Sequence, residues 1–98
     1  MILELAILNV KPGYEQEFEA AFRQASVIIA SMKGYGWHEL QRSLETAGRY
    51  VLLVEWETLE DHVTGFRGSP PYQEWKVRLH HFYDAALVEH YEQILLNL

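Results

Sequence analysis

The run Ile2–Val10, ILELAILNV, carries apolar side chains on both of its alternating faces: Leu3, Leu5 and Ile7 on one, Ile2, Ala6 and Leu8 on the other. It is rich in Ile, Leu and Val and stops at Lys11-Pro12-Gly13, so it reads as a strand ending in a turn. A strand that is apolar on both faces has to be covered on both. Helices of the same chain can cover one face. The expected cover for the other is a second copy of the chain.

The period then changes. Tyr14, Phe18, Ala21, Phe22, Ala25, Ile28, Ile29 and Met32 recur at spacings of three and four, which predicts an amphipathic helix over Tyr14–Met32. Glu15, Glu17 and Glu19 crowd its first turns, where they favour the helix dipole, and Gly34 is a stop signal. Tyr35–Leu44 alternates loosely as a second strand, Glu45-Thr46-Ala47-Gly48 is a hairpin loop, and Arg49–Glu57 is a strongly β-prone third strand. Thr58 and Asp61 have the spacing of a shortened capping box, followed by Leu59, His62, Val63 and Phe66 on one helical face. Gly65 and Gly68 keep that helix short. Ser69-Pro70-Pro71 starts another, with Tyr72, Trp75, Leu79 and Phe82 as its stripe. Ala85–Ile94 is the last strand. The order β-α-β-β-α-β, with its second helix broken in two, predicts an α+β ferredoxin-like fold with a four-stranded antiparallel sheet over residues 1–98 as one domain.

Composition removes several function classes. A net charge of -6, with eight scattered Lys and Arg, repels phosphate backbones and gives no basic patch for nucleic acid or a membrane surface. The absence of cysteine excludes disulfides, thiolate metal sites and cysteine nucleophiles. No apolar run approaches a membrane span, and MILELAILNV lacks a basic leader and a cleavage site, so the expected location is the cytoplasm. With 49% of the chain hydrophobic, a body this small has apolar surface to spare for a partner subunit or a ligand.

Val10-Lys11-Pro12-Gly13, Gly34-Tyr35, Glu55-Trp56-Glu57, the capped helix from Thr58, Gly68-Ser69-Pro70-Pro71-Tyr72 and Val88-Glu89-His90-Tyr91-Glu92 together resemble the antibiotic biosynthesis monooxygenase-like domains over nearly the whole chain. The resemblance implies a homodimer in which two sheets face each other as an α/β barrel, with a ligand pocket between each sheet and its helices. It also implies a range of activities. Some members oxidise phenolic or anthrone-type compounds with O2 and without metal or flavin. Others oxidise quinols, degrade haem, act on small signalling molecules or have no known activity. The haem-degrading branch needs an Asn, a Trp and a His at positions that fall near Leu5, Gly65–Phe66 and Trp75–Lys76 here. None matches, which leaves His80 as a fallback ligand and disfavours haem.

Each candidate site residue has a plain and a functional reading. Trp56, at a strand end, is a core tryptophan or a pocket wall that stacks on a planar ring. Phe66, Tyr72 and Trp75 are a core stripe or the lining of a pocket for an aromatic or hydrophobic ligand. His62 is a satisfied core imidazole or the general base, since its ordinary pKa of about 6.5 lies near working pH. His38, in HELQR, lacks the second histidine of a zinc helix and lies in a strand, so it faces the pocket or solvent. His80 and His81 point to different sides of a helix, and His90 is expected at the subunit interface. Asn9 bonds a turn or, as the resemblance implies for Asn and Trp, holds the substrate oxygen. Glu55, Glu57, Glu60 and Asp61 read as a solvated face with a cap rather than a metal site. The leading expectation is a cofactor-free, metal-free monooxygenase with His62 as base and Asn9 or His38 on the oxygen. The alternative is a non-catalytic small-ligand-binding or stress-associated dimer.

Overall fold

In the computed structural model, which describes residues 1–96, strand β1 (Ile2–Asn9) pairs antiparallel with two neighbours. On one side lies β3 (Arg49–Trp56) and on the other β4 (Leu87–Glu92). Strand β2 (Tyr35–Arg42) completes the sheet beyond β3, in the order β2-β3-β1-β4. The two helices, α1 (Glu15–Ala30) and α2 (Pro70–Leu79), pack on one face. This is the β-α-β-β-α-β ferredoxin-like arrangement that the periodicities predict.

The core lies between sheet and helices. Ala6 and Leu8 of β1 and Tyr50, Leu52, Val54 and Trp56 of β3 point into it, against Phe18, Phe22, Ala25 and Ile29 of α1 and Trp75 and Leu79 of α2. Rings dominate the packing. Phe18 sits 4.9 Å from Tyr50 and edge-on to Phe82 and Tyr83, and Phe66 crosses Trp75 edge-on at 5.6 Å. After α1, Gly34 takes a φ of +84°, and a side chain there would collide with the Asp61 carboxylate. That carboxylate accepts from the Thr58 backbone N–H at 3.2 Å and from Lys33 Nζ at 3.3 Å, while Thr58 Oγ1 accepts from the Asp61 N–H at 3.1 Å. The reciprocal cap expected from Thr58 and Asp61 is therefore formed.

Several details differ from the sequence expectation. Asp61–Phe66 winds as a π-helix, whose Arg67 N–H reaches back to the His62 carbonyl at 3.1 Å. The wider turn breaks the expected face: His62 and Phe66 go inward, whereas Leu59 and Val63 remain largely exposed. Helix α2 begins at Pro70 behind the Ser69 cap but ends at Leu79, and Phe82 reaches the core from a 3-10 turn (His80–Phe82). Strand β4 is shorter than Ala85–Ile94 and spans Leu87–Glu92. Among the described residues, no helix is long and apolar enough to cross a membrane.

Candidate functional site

One position in β1 breaks the pattern of its buried face. Between Ile2 and Ala6, on the side turned to the helices, stands Glu4, only 5% exposed. A carboxylate in such a place needs partners. Trp56, across the β1–β3 ladder, donates its indole N–H to Glu4 Oε1 at 2.9 Å. His62, only 3% exposed, brings Nε2 to 3.3 Å from the same oxygen. The register sets His90 of β4 directly opposite Glu4, and its Nε2 lies 2.7 Å from His62 Nδ1. The Trp56 ring stacks on the His62 imidazole, with centroids 5.4 Å apart and planes 15° apart, which fixes the rotation of both.

The strand register and the π-helix explain this assembly. Glu4, Trp56 and His90 come from three adjacent strands at one end of the sheet, and the wide turn of the π-helix lowers His62 onto them. Burial, with the nearby charge of Arg67 and then His90, drives the His62 pKa down to about 3, so the ring is neutral at ordinary pH. Burial raises the Glu4 pKa above that of a free carboxylate, opposed by the Trp56 hydrogen bond and by Arg67. His90, less buried, is also held below the usual imidazole range by desolvation and by Arg67.

This polar group closes one end of a cavity of about 370 Å³ between the sheet and the π-helix and α2. Its walls are otherwise largely apolar and aromatic: Ala6, Leu8, Leu52, Phe66, Tyr72 and Trp75. Arg67, His80, Tyr83 and Asp84 stand around it as well. Burial, then Tyr72 and Glu4, raises the Tyr83 hydroxyl above its usual range, so it stays a neutral phenol. The volume lies toward the small end of ligand pockets. Glu4 and His90 each contact His62, and no metal-holding cluster of three or more His, Asp or Glu occurs among the described residues.

The structure brings His62, Phe66, Tyr72 and Trp75 together on this cavity. Trp56 does not line it but stands behind His62. Two expected residues lie elsewhere. Asn9 is exposed, on the opposite face of β1 from Ala6 and Leu8, where it accepts from Arg49 Nε at 2.9 Å. His38 bonds the Tyr35 hydroxyl and lines a separate cleft between α1 and β2 with Glu19, Arg42 and Tyr50. The expectation for His90 is corrected: even-numbered residues of β4 face the helices, so it joins His62 rather than a subunit interface.

Sequence reasoning missed Glu4, Arg67, Tyr83 and the role of His90. Glu4 did leave a signal. It is the single charged residue of ILELAILNV and shares the parity of Ala6 and Leu8.

The model of a family described as antibiotic biosynthesis monooxygenase matches residues 1–78. An uncharacterised Bacillus subtilis protein, YczJ, is 57% identical over 96% of this chain and 100% of its own. A candidate antibiotic biosynthesis monooxygenase of Bordetella bronchiseptica, known from its crystal structure, is 36% identical with a TM-score of 0.92, covering 96% of this chain and 97% of that one. SnoaB of Streptomyces nogalater, a cofactor-independent oxygenase, shares the fold at 17% identity and a TM-score of 0.82, over 98% of this chain and 95% of its own. The family match over most of the chain, joined to the sheet order and the cavity under α2, places this protein in the antibiotic biosynthesis monooxygenase family.

Proposed function

We propose that the protein is a monooxygenase that oxidises a small phenolic or quinol-type aromatic compound with O2, using no bound cofactor, in the cavity between the sheet and α2. One observation carries the reading: an apolar, ring-walled cavity has a single buried carboxylate–imidazole pair at one end. Family membership and the fold shared with SnoaB, a cofactor-independent oxygenase, support it.

The chemistry balances without a cofactor. For an anthrone-type substrate, a base takes a proton from the activated C–H or phenolic O–H and leaves a delocalised anion. The anion passes one electron to O2, and the resulting substrate radical and superoxide join as a C–O bond. The returned proton completes a hydroperoxide, which loses water to leave a ketone. One oxygen atom stays in the product and the other leaves as water, and the substrate supplies every electron. The site's contribution is an apolar enclosure, aromatic walls that hold the ring, and proton transfer at the Glu4–His62 end.

The working unit is a homodimer. On the sheet face away from the helices, Leu3, Leu5 and Ile7 of β1 and Val51 and Leu53 of β3 form an apolar patch, flanked by Trp37 and Tyr91, 43% and 45% exposed. A second copy laid on that face would cover it.

Oxygen uptake by the metal-free protein over a panel of hydroquinones and anthrones tests the activity. Uptake with formation of the ketone from an anthrone, or of the hydroxyquinone from a hydroquinone, is expected for at least one class. No uptake on any of them would replace this reading with the ligand-binding one.

A further inference from the structure

If the cavity carries out the proposed oxidation, the polar end has to contain the group that takes the proton. His62 is the residue the sequence points to, yet both of its ring nitrogens face protein groups. Nε2 faces Glu4 Oε1 at 3.3 Å and Nδ1 faces His90 Nε2 at 2.7 Å. The tautomer follows from the partners. A carboxylate repels a bare ring nitrogen, which puts the His62 proton on Nε2, the atom that faces Glu4 Oε1. The bare Nδ1 then accepts from the Nε2–H of His90.

Glu4 has the spare atom. Oε1 takes both the Trp56 N–H and the His62 contact, whereas Oε2 accepts no hydrogen bond from the described residues. No sealed side-chain oxygen among the described residues lacks a partner, so Oε2 is not sealed. Glu4 lines the cavity, and we assign the open side of Oε2 to it.

We infer that Glu4 is the catalytic base of this site, presenting Oε2 to the substrate, and that His62 and His90 are positioning residues that hold its other oxygen. The roles are the reverse of those in a serine-type triad, where a carboxylate orients an imidazole. Here two imidazoles in series orient a carboxylate. The neutral state of His62 fits a donor that does not itself titrate, and desolvation makes the Glu4 carboxylate more basic than a free one. The groups that face Glu4 and set its ionisation come from every neighbouring element: His62 from the π-helix, Arg67 just beyond it, Trp56 from β3, His90 from β4 and Tyr83 from the segment before β4.

Four variants assayed for oxygen uptake test the assignment: E4Q, H62Q, H62A and H90Q. E4Q is expected to lose roughly 10²- to 10⁴-fold, the usual worth of a general base. H62Q cannot accept a proton at working pH but its amide can still donate to Glu4, so it should stay within about tenfold of the parent. H90Q should do the same, because its amide can donate to His62 Nδ1. H62A should lose more than H62Q and move the acid limb of the pH–rate profile upward, since the carboxylate loses a donor that favours its charged form. H62Q as inactive as E4Q, or E4Q as active as the parent, would overturn the assignment. A second reading needs no turnover: the Glu4 side-chain carboxyl, followed by carbon NMR against pH. It should titrate above the ordinary glutamate range, and higher still in H62A. A Glu4 that titrates like a surface glutamate, unmoved by H62A, would also overturn the assignment. Absence of uptake in the parent protein would sink the monooxygenase reading alone, and the carboxyl titration would still judge Glu4.

Discussion

The two faces of β1 carry opposite surprises. On the face covered by helices, where apolar residues belong, stands Glu4. On the face that no helix covers, where polar residues belong, stand Leu3, Leu5 and Ile7. An ordinary half-buried strand would have these the other way round. The inversion teaches what each face is for. A buried charge is costly, and Glu4 stands where Trp56 bonds it and His62 lies 3.3 Å from the same oxygen, beside the cavity to which we assign its second oxygen. An uncovered apolar face is a liability unless another surface meets it, which is why we assign it to a second copy.

The largest expected effect separates chemistry from stability on the covered face. E4Q should abolish most oxygen uptake while leaving the fold intact or firmer. The Glu4 pKa is raised above 4.5 in the folded protein, so its ionisation near neutral pH opposes folding, and an amide removes that opposition. Its carbonyl can still accept from Trp56. Thermal melting beside the activity assay checks this, and a variant that is inactive because it is unfolded would break the comparison.

The next effect belongs to the open face. Leu5→Asp or Leu53→Asp places a charge in the centre of the patch and should convert a dimer into monomers in sedimentation, without unfolding the helix side. An unchanged sedimentation coefficient in both variants would remove the patch from the interface.

A smaller effect probes the join between the two strands. Trp56→Phe keeps a ring against His62 but removes the N–H that Glu4 accepts, and should cost about 1–3 kcal/mol in chemical denaturation. The same change should raise the Glu4 pKa further, because the lost hydrogen bond favours the carboxylate. A loss well under 1 kcal/mol would mean that Glu4 does not depend on this bond.

The smallest effect is a matter of pH. His62 is held neutral, with a pKa near 3 against 6.5 for a free imidazole. The unfolded chain therefore takes up a proton that the native state refuses. The stability linked to His62 is fully present above about 6.5 and is lost progressively as pH falls toward 3. Glu4 acts in the opposite sense: falling pH relieves its charge and favours the fold. The melting temperature of H62Q should consequently fall less than that of the parent between pH 6.5 and 3. Equal slopes would show that the imidazole is not buried as described.

The fold was legible because its signals are local and agree. The shift from period two to spacings of three and four marks β1 and α1, the Thr58–Asp61 cap forms as its spacing implies, and Ser69-Pro70 starts α2 where expected. The winding of Asp61–Phe66 was not legible, since its residues suit an ordinary helix and only the folded chain selects the wider turn that seats His62. Half of the site could be read from the ring-rich stretch Phe66–Trp75. The other half depended on register. His90 looks like an interface residue until the pairing sets it opposite Glu4, and Asn9 looks like a pocket residue until its parity turns it away. Glu4 drew no role from the sequence pattern, although its parity with Ala6 and Leu8 marks it as buried.

The two faces also differ in the hollows they offer, and this permits a direct test. The covered face has the cavity at Glu4 and His62, and the open face has a shallower groove bounded by Leu3, Trp37, Glu55 and Tyr91. A crystal structure of the protein soaked with a hydroquinone or anthrone in the absence of oxygen would show which one the substrate takes. The account predicts a ring held among Phe66, Tyr72 and Trp75, with its hydroxyl roughly 2.6–3.2 Å from Glu4 Oε2. A ring bound in the open-face groove, or one in the cavity with its hydroxyl turned away from Glu4, would contradict it.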